Sequence, residues 1–334
     1  MSTSVNMPMN SPMNTMKWLV RRELWEHKGA LIWAPLLVAA ILVLLFGGGG
    51  LYAALTTGNF QFQVGETQVV AIHGIPPALR AQLAGVAASS YLALSAPLFL
   101  VLPVVAFFYC LAALHDDRRD RSILFWKSLP LSDRDTVLSK VIVALLVAPL
   151  VVIGVGIVAS LILLALGLMA AAANNINLFV PVLSDYRLYL SPLYLLAFLP
   201  LYILWALPTV GWLLLVSSWA RSKVFLWAVG LPLVALAVLS WFDFVVGRFS
   251  GISLHAKWFG EEVLARFLGG LMPGIWFGEL ETETMRQMQG GLDAGMLLRL
   301  SYSTLSSPAV WVAAIAGCAM IFGAMRLRRW RDEG

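Results

Sequence analysis

Two groups of residues carry enough charge to do chemistry. The first is His115–Lys140 (HDDRRDRSILFWKSLPLSDRDTVLSK), which gathers Asp116, Asp117, Arg118, Arg119, Asp120, Arg121, Lys127, Asp133, Arg134, Asp135 and Lys140 in one run. The second is an acidic patch of Glu261, Glu262, Glu279, Glu281 and Glu283. Convergent carboxylates can act as general acid and base, so the patch is where a membrane enzyme acting on lipid would have its site. A solvated surface is the plainer reading. His115-Asp116-Asp117 could be drawn as metal ligands, but Arg118, Arg119 and Arg121 follow and would repel a cation. Glu26-His27 has the residue types of a zinc-protease H-E-x-x-H pattern, but no H-E-x-x-H occurs and the second His is missing. No Gly-Lys pair occurs anywhere. The chain therefore has no G-x-x-x-x-G-K-[ST] loop and should not hydrolyse ATP itself. It also has no G-x-S-x-G nucleophile motif, so no catalytic motif is present. Cys110 and Cys318 fall in apolar runs and offer neither a disulfide framework nor a metal pattern.

The elements that hold these residues are membrane helices. The chain is 60% hydrophobic and 12% charged, against about 25% charged in soluble domains, and its mean hydropathy is +0.83. This composition implies an all-α integral membrane protein. A helix needs about 20 apolar residues to cross the hydrocarbon core. Six runs meet or approach that length: 31–54, 91–114, 141–173, 193–220, 224–242 and 309–325. The third is longer than needed and should tilt or project. Pro200 and Pro208 should kink the fourth. Residues 1–15 read as a disordered tail and 16–334 as one transmembrane domain. Two longer outside segments remain, Thr56–Ser90 and 247–308. The second is expected to hold a helix near Gly260–Leu271 and to pack on the membrane surface or dip into it.

Lys and Arg set the orientation. One side carries Lys17, Arg21, Arg22 and Lys28, then the cations of 115–140, then Arg221 and Lys223, and finally Arg326, Arg328, Arg329 and Arg331. The other has Arg80, Arg187, Arg248, Lys257, Arg266, Arg286 and Arg299 spread over longer segments. Both termini and 115–140 are therefore expected in the cytoplasm. The net charge of +5 follows this topology and does not indicate nucleic acid. The spans are nearly free of charge, with Asp243 at the outer end of the fifth the one borderline residue. That argues against a proton-driven carrier.

Segment 115–140 has internal grammar. Ser122–Leu129 is a short apolar-rich run centred on Phe125 and Trp126, with Ile123, Leu124 and Leu129 beside them. Pro130 stops it. Ser132-x-x-Asp135 resembles a capping box and predicts a helix starting near Asp133. An apolar cluster among charges marks a contact surface. Ahead of the first span, Met16–Gly29 (MKWLVRRELWEHKG) suits a helix lying in the interface. Lys17, Arg21 and Lys28 form one stripe, Trp18 and Trp25 flank it, and Glu23 and Glu26 point away.

These two stretches resemble the permease subunits of bacterial type-2 ATP-binding-cassette (ABC) exporters. Lys17-Trp18-Leu19-Val20-Arg21-Arg22-Glu23-Leu24-Trp25-Glu26 looks like that family's N-terminal interfacial elbow helix. Asp117 through Asp133, with its Ser128-Leu129-Pro130-Leu131-Ser132 core, looks like the stretch between spans two and three. A departure is Arg121-Ser122, where many members have a Gly-containing E-x-x-x-G-T pattern. The resemblance implies six transmembrane helices and a cytoplasmic coupling helix that docks on a soluble ABC-type ATPase. Its contact residues would be Asp117, Arg118, Arg119, Asp120, Arg121, Ile123, Leu124, Phe125, Trp126, Lys127 and Leu129. It further implies a bacterial inner-membrane location, a second permease copy as partner alongside membrane lipid, and ATP with Mg bound in the ATPase and no cofactor in this chain. A non-transporting scaffold that recruits an ATPase is the alternative of a different class.

Overall fold

The computed structural model describes residues 12–57, 61–64, 67–70, 76–119, 132–250, 256–279 and 294–331. These are helical apart from one antiparallel hairpin, β1 (Gln61–Val64) against β2 (Thr67–Val70), with Phe62 opposite Val69. Six helices are long and apolar enough to cross a membrane: Gly29–Thr56, Pro77–Arg119, Asp133–Ala173, Tyr186–Trp219, Leu226–Val245 and Pro308–Arg328. We call them spans one to six. Apolar side chains face lipid and neighbours while the backbone satisfies itself within each helix, as a hydrocarbon environment demands.

Span four is the hub of packing. Leu201, Trp205, Ala206, Val210, Leu213 and Leu214 are all buried in one core with Leu102 and Ala106 of span two, Val143 and Val152 of span three, and Ile321 and Ala324 of span six. Its helical run breaks at Phe198, and Pro200 takes the second position of the helix that restarts at Leu199. A proline there removes no helical hydrogen bond. Pro208 lies inside a helix that continues past it. Spans one and five are peripheral, with only 22% and 6% of their apolar windows buried.

Spans four and six touch backbone to backbone. A Cβ added at Gly211 would lie 2.5 Å from the Gly317 carbonyl oxygen, and one at Gly317 would lie 2.6 Å from Leu207. Small residues allow such approach between membrane helices. Gly317→Leu is therefore expected to cost about 1–3 kcal/mol by overpacking. A thermal unfolding midpoint in detergent equal to that of the unchanged protein would contradict this close approach.

Three expectations need correction. The N-terminal helix runs Pro12–Glu26, so Pro12–Thr15 belong to it and not to a tail; residues 1–11 lie outside the described residues. The second run, expected at 91–114, is the later part of a longer helix: Pro77–Ser90, placed with the outside segment, is helical and continues through a 3-10 stretch, Tyr91–Leu100, into span two. Its Ala84 and Ala88 stand one turn apart and pack against Leu168 and Ala171 at the far end of span three, with Ile176, Leu178, Val182 and Leu188 closing a second small core. The Tyr91 hydroxyl donates to the Leu188 carbonyl at 3.1 Å. The excess length of span three thus finds its partner outside the main bundle.

The third correction concerns charge near the spans. The segment Phe259–Leu264, continuing as Ala265–Gly269, packs against the middle of span four. Thr209, halfway along Leu199–Trp219, donates to the Arg266 carbonyl at 2.9 Å. Gly270 lies so close to the Trp205 carbonyl that no Cβ would fit. Phe267 meets Trp212 edge-on at 6.4 Å. The segment therefore descends between the spans and carries Arg266 with it. Arg266 is buried, lies over the Trp205 ring at 5.1 Å and pairs with Glu262 at 2.9 Å. Asp243 accepts the Ala256 N–H at 2.7 Å, which ties the segment to the end of span five. Asp243 is thus not the one charge to weigh at the spans. An Arg–Glu pair reaches membrane depth from outside them.

Candidate functional site

The helix that opens span three starts where Ser132 caps it. Ser132 Oγ accepts from the Asp135 N–H at 3.1 Å and donates to the Asp135 carboxylate at 2.7 Å. The first bond is the N-cap bond expected of Ser-x-x-Asp, while the second runs between the two side chains and not, as in a full capping box, to the Ser132 N–H; together they hold the first turn in register. Asp133 then stands at the first helical position, and Lys140 two turns on shares its face.

Lys140 is 1% exposed. A lysine so buried must be paired, and this one is paired twice. Its Nζ lies 3.0 and 3.2 Å from the two Glu23 carboxylate oxygens and 3.3 Å from Asp117 Oδ2. Glu23, also 1% exposed, accepts a further hydrogen bond from the Tyr109 hydroxyl at 3.1 Å. His27 stands one turn along from Glu23, its Nε2 3.9 Å from the carboxylate and its ring edge-on to Tyr109 at 5.0 Å. Arg328, near the end of span six, completes the set. Its Nη1 lies 3.3 Å from Asp117 Oδ2 and its Nε 3.3 Å from Asp133 Oδ1.

The result is a chain of alternating charge: Glu23, Lys140, Asp117, Arg328, Asp133. It joins the N-terminal helix, the end of span two, the start of span three and the end of span six. Arg328 also binds the residues on both sides of segment 120–131, Asp117 before it and Asp133 after it. A second clamp sits beside the network. Arg118 Nε donates to the Leu114 carbonyl at 3.3 Å, and its Nη2 donates to the Ser217 and Ala220 carbonyls. Ser217 Oγ accepts the Leu114 and His115 N–H groups at 3.1 and 3.0 Å and donates to Leu111 O at 2.8 Å. The end of span two is therefore fastened to the end of span four.

The residues singled out by sequence divide as follows. Asp117 faces inward, into the network. Arg118 is half-buried in its clamp and Arg119 is exposed. Asp120, Arg121, Ile123, Leu124, Phe125, Trp126, Lys127 and Leu129 lie outside the described residues. On the N-terminal helix Lys17, Trp18, Arg21 and Trp25 are exposed, with Lys28 over the Trp25 ring at 5.5 Å. Arg22 pairs with Glu26 at 3.4 Å. Glu23 is the correction here: it points away from the basic stripe, but into the protein and not into water, because Lys140 and Tyr109 receive it. Of the acidic patch, Glu261 is exposed and Glu262 is spent on Arg266. Glu281 and Glu283 lie outside the described residues. Sequence reading also missed Lys140 and Arg328 as partners, since both read as topology-setting flanks.

Cavities flank the spans at two depths. An apolar one of about 300 Å³ lies between spans two, three and four, lined by Phe99, Leu102, Ile153, Tyr202, Trp276 and Phe277 among others. A larger one of about 920 Å³, lined in part by Glu262, Arg266, Phe267, Ser303 and Val312, separates the descending segment from span six. At the level of the ion network a third, of about 550 Å³, is lined by His115, Arg118, Arg119, Ala220, Arg221, Ser222 and Lys223.

No family model, no curated protein and no solved structure matches this chain. The functional reading therefore rests on the residues and their geometry.

Proposed function

We propose that this chain is the membrane-spanning permease subunit of an ATP-driven exporter. It moves substrate outward from the cytoplasm or inner leaflet, using ATP hydrolysed by a separate soluble ATPase docked on 115–140. The observation that carries this reading is the position of Arg328, which ties together both stems of segment 120–131. A partner that pushes on the segment pushes on a braced frame. The Asp117 and Asp133 contacts pass the displacement to spans two and three, and Arg328 passes it to span six. Glu23 and Lys140 pass it to the N-terminal helix. Binding can shift a membrane equilibrium only through contacts that differ between its states, and a buried ionic frame provides contacts that do not slip continuously.

Other features support the same reading. The chain lacks a phosphate-binding loop of its own. Spans one and five leave large apolar faces uncovered, including Trp33, Leu37, Leu44 and Phe46 on span one and Val234, Val238 and Trp241 on span five. These suit lipid and a second permease copy. The apolar cavity of about 300 Å³ suits the hydrocarbon part of a cargo. The orientation we adopt, with both termini in the cytoplasm of a bacterial inner membrane, follows from the Lys and Arg distribution.

The test is docking. Phe125→Ala with Trp126→Ala should lower recovery of the ATPase on a tagged chain by tenfold or more, because aromatic anchors dominate such contacts. Membrane insertion and unfolding temperature should stay as they were. Undiminished recovery of the partner would sink the proposal.

A further inference from the structure

The cleft of about 550 Å³ beside the ion network is lined by cations. Arg118, Arg119, Arg221 and Lys223 contribute to it with His115, and no carboxylate lines it among the described residues. The nearest acids are accounted for elsewhere. Asp116 is held to the His115 ring nitrogen at 3.1 Å, and Asp117 is turned to Lys140 and Arg328. Arg119, Arg221 and Lys223 are exposed and form no ion pair among the described residues. Three like charges left together around a concave space repel one another, and an anion between them would relieve that.

The backbone gives a second, independent sign. Lys223 has φ of 52°, a left-handed conformation that Gly or Asn adopts with less strain. The turn is kept in that shape by the Lys223 carbonyl, which accepts from the N–H groups of Leu226 and Trp227 at 2.9 and 3.4 Å. Lys223 lines the cleft together with Arg119. Strained backbone of this kind concentrates at ligand sites.

Location narrows the ligand. Span two ends at Arg119, span four at Trp219, and span five begins at Leu226. Trp219 and Trp227 meet edge-on at 5.0 Å and are 40% and 41% exposed, with Phe225 beside them at 55%. Such aromatics mark headgroup depth. Basic cavities between membrane helices at this depth are suited to anionic headgroups.

We propose that this cleft binds a phosphate group, with Arg119, Arg221 and Lys223 as its charge partners and Arg118 as the fixed wall behind them. Arginine matches phosphate oxygens in a fork and lysine supplies a point charge. The phosphate comes either from an anionic lipid headgroup or from a free phosphate. The site shares His115, Arg118 and Arg119 with the segment proposed to dock the ATPase, but phosphate binding does not rest on that reading and needs no ATPase.

The experiment uses the full chain purified in dodecyl maltoside micelles. Three probes are titrated: short-chain phosphatidylglycerol, short-chain phosphatidylcholine, and sodium phosphate as competitor. The unchanged protein should bind phosphatidylglycerol at least tenfold more tightly than phosphatidylcholine, with affinity falling as salt rises. The triple variant Arg119→Gln, Arg221→Gln, Lys223→Gln should lose on the order of 100-fold, roughly fivefold for each cation removed. All three residues are exposed, so the variant should keep the circular dichroism and unfolding temperature of the parent. Displacement of the lipid by sodium phosphate below 1 mM (roughly the upper range for a specific site) would assign the site to free phosphate. Lipid binding without such displacement would assign it to headgroups. Equal affinity for the two lipids together with no phosphate binding, or a triple variant that binds like the parent, would overturn the proposal.

Discussion

Replacing Lys140 with methionine is expected to destabilise the protein by about 3–5 kcal/mol, because removing one partner of a buried pair leaves the other charge uncompensated. Two carboxylates lose a partner at once. Glu23 keeps the Tyr109 hydroxyl at 3.1 Å and a histidine ring at 3.9 Å, and neither replaces an ammonium at 3.0 Å. Asp117 keeps Arg328. The larger share of the cost therefore falls on Glu23, and the remedy is specific. Glu23→Gln combined with Lys140→Met removes both charges and leaves the shapes nearly filled. It should recover most of the loss, with an interaction energy of about 2–3 kcal/mol between the two sites in a double-mutant cycle. Unfolding by SDS titration from dodecyl maltoside micelles measures all four corners. A single variant within 1 kcal/mol of the parent, or a double variant as unstable as the sum of the singles, would show that Glu23 and Lys140 are not a buried pair.

That pair also shows where the sequence could be read and where it could not. The spans were legible because a run of about 20 apolar residues has few other uses, and the observed helices contain or closely overlap the expected runs. The Ser132 cap was legible because it is local: donor and acceptor are three residues apart. The ion network was not. Apart from Lys140 and Asp117 its partners lie 86 to 211 residues apart in the chain, and each cation in it also reads as a topology marker. On a helical wheel Glu23 reads as the polar side of a surface helix. Nothing local says that Lys140, 117 residues away, turns that side into a buried one. Pro77–Ser90 was missed for a different reason. Its Ala, Gly and Ser content gives no strong hydropathy signal, and it is a helix because Ala84 and Ala88 have the end of span three to pack on. Arg266 was counted only among the cations of the outer segments, because the descent of its segment is fixed by contacts with Thr209, Trp205 and Trp212 of span four, which are far from it in the chain.

Arg328→Gln should separate docking from transport, and this follows from which contacts it breaks. The variant removes the side chain through which span six pairs with both stems of segment 120–131, yet leaves each stem provided for. Asp117 retains Lys140 at 3.3 Å, and Asp133 is 34% exposed, so water takes over its carboxylate. The stability cost is therefore smaller than for Lys140, about 1–3 kcal/mol. The mechanical cost is larger. Span six loses its ionic tie to the frame at that end and keeps its apolar packing on span four, through Ile321 and Ala324 as well as the close Gly211–Gly317 contact, and such packing can slip where a salt bridge holds register. The expected result is normal recovery of the ATPase on the tagged chain, ATP hydrolysis within about twofold of the parent complex, and transport in proteoliposomes reduced at least tenfold. Arg328→Lys refines the test. An ammonium is a point charge and cannot serve two carboxylates from separate nitrogens as a guanidinium does, so it should hold one stem and restore transport only in part. Full transport by Arg328→Gln would place the moving connection elsewhere, with the Arg118–Ser217 clamp between spans two and four the next to change. Loss of ATPase binding by Arg328→Gln would mean that Arg328 shapes the docking surface itself and does not link that surface to span six.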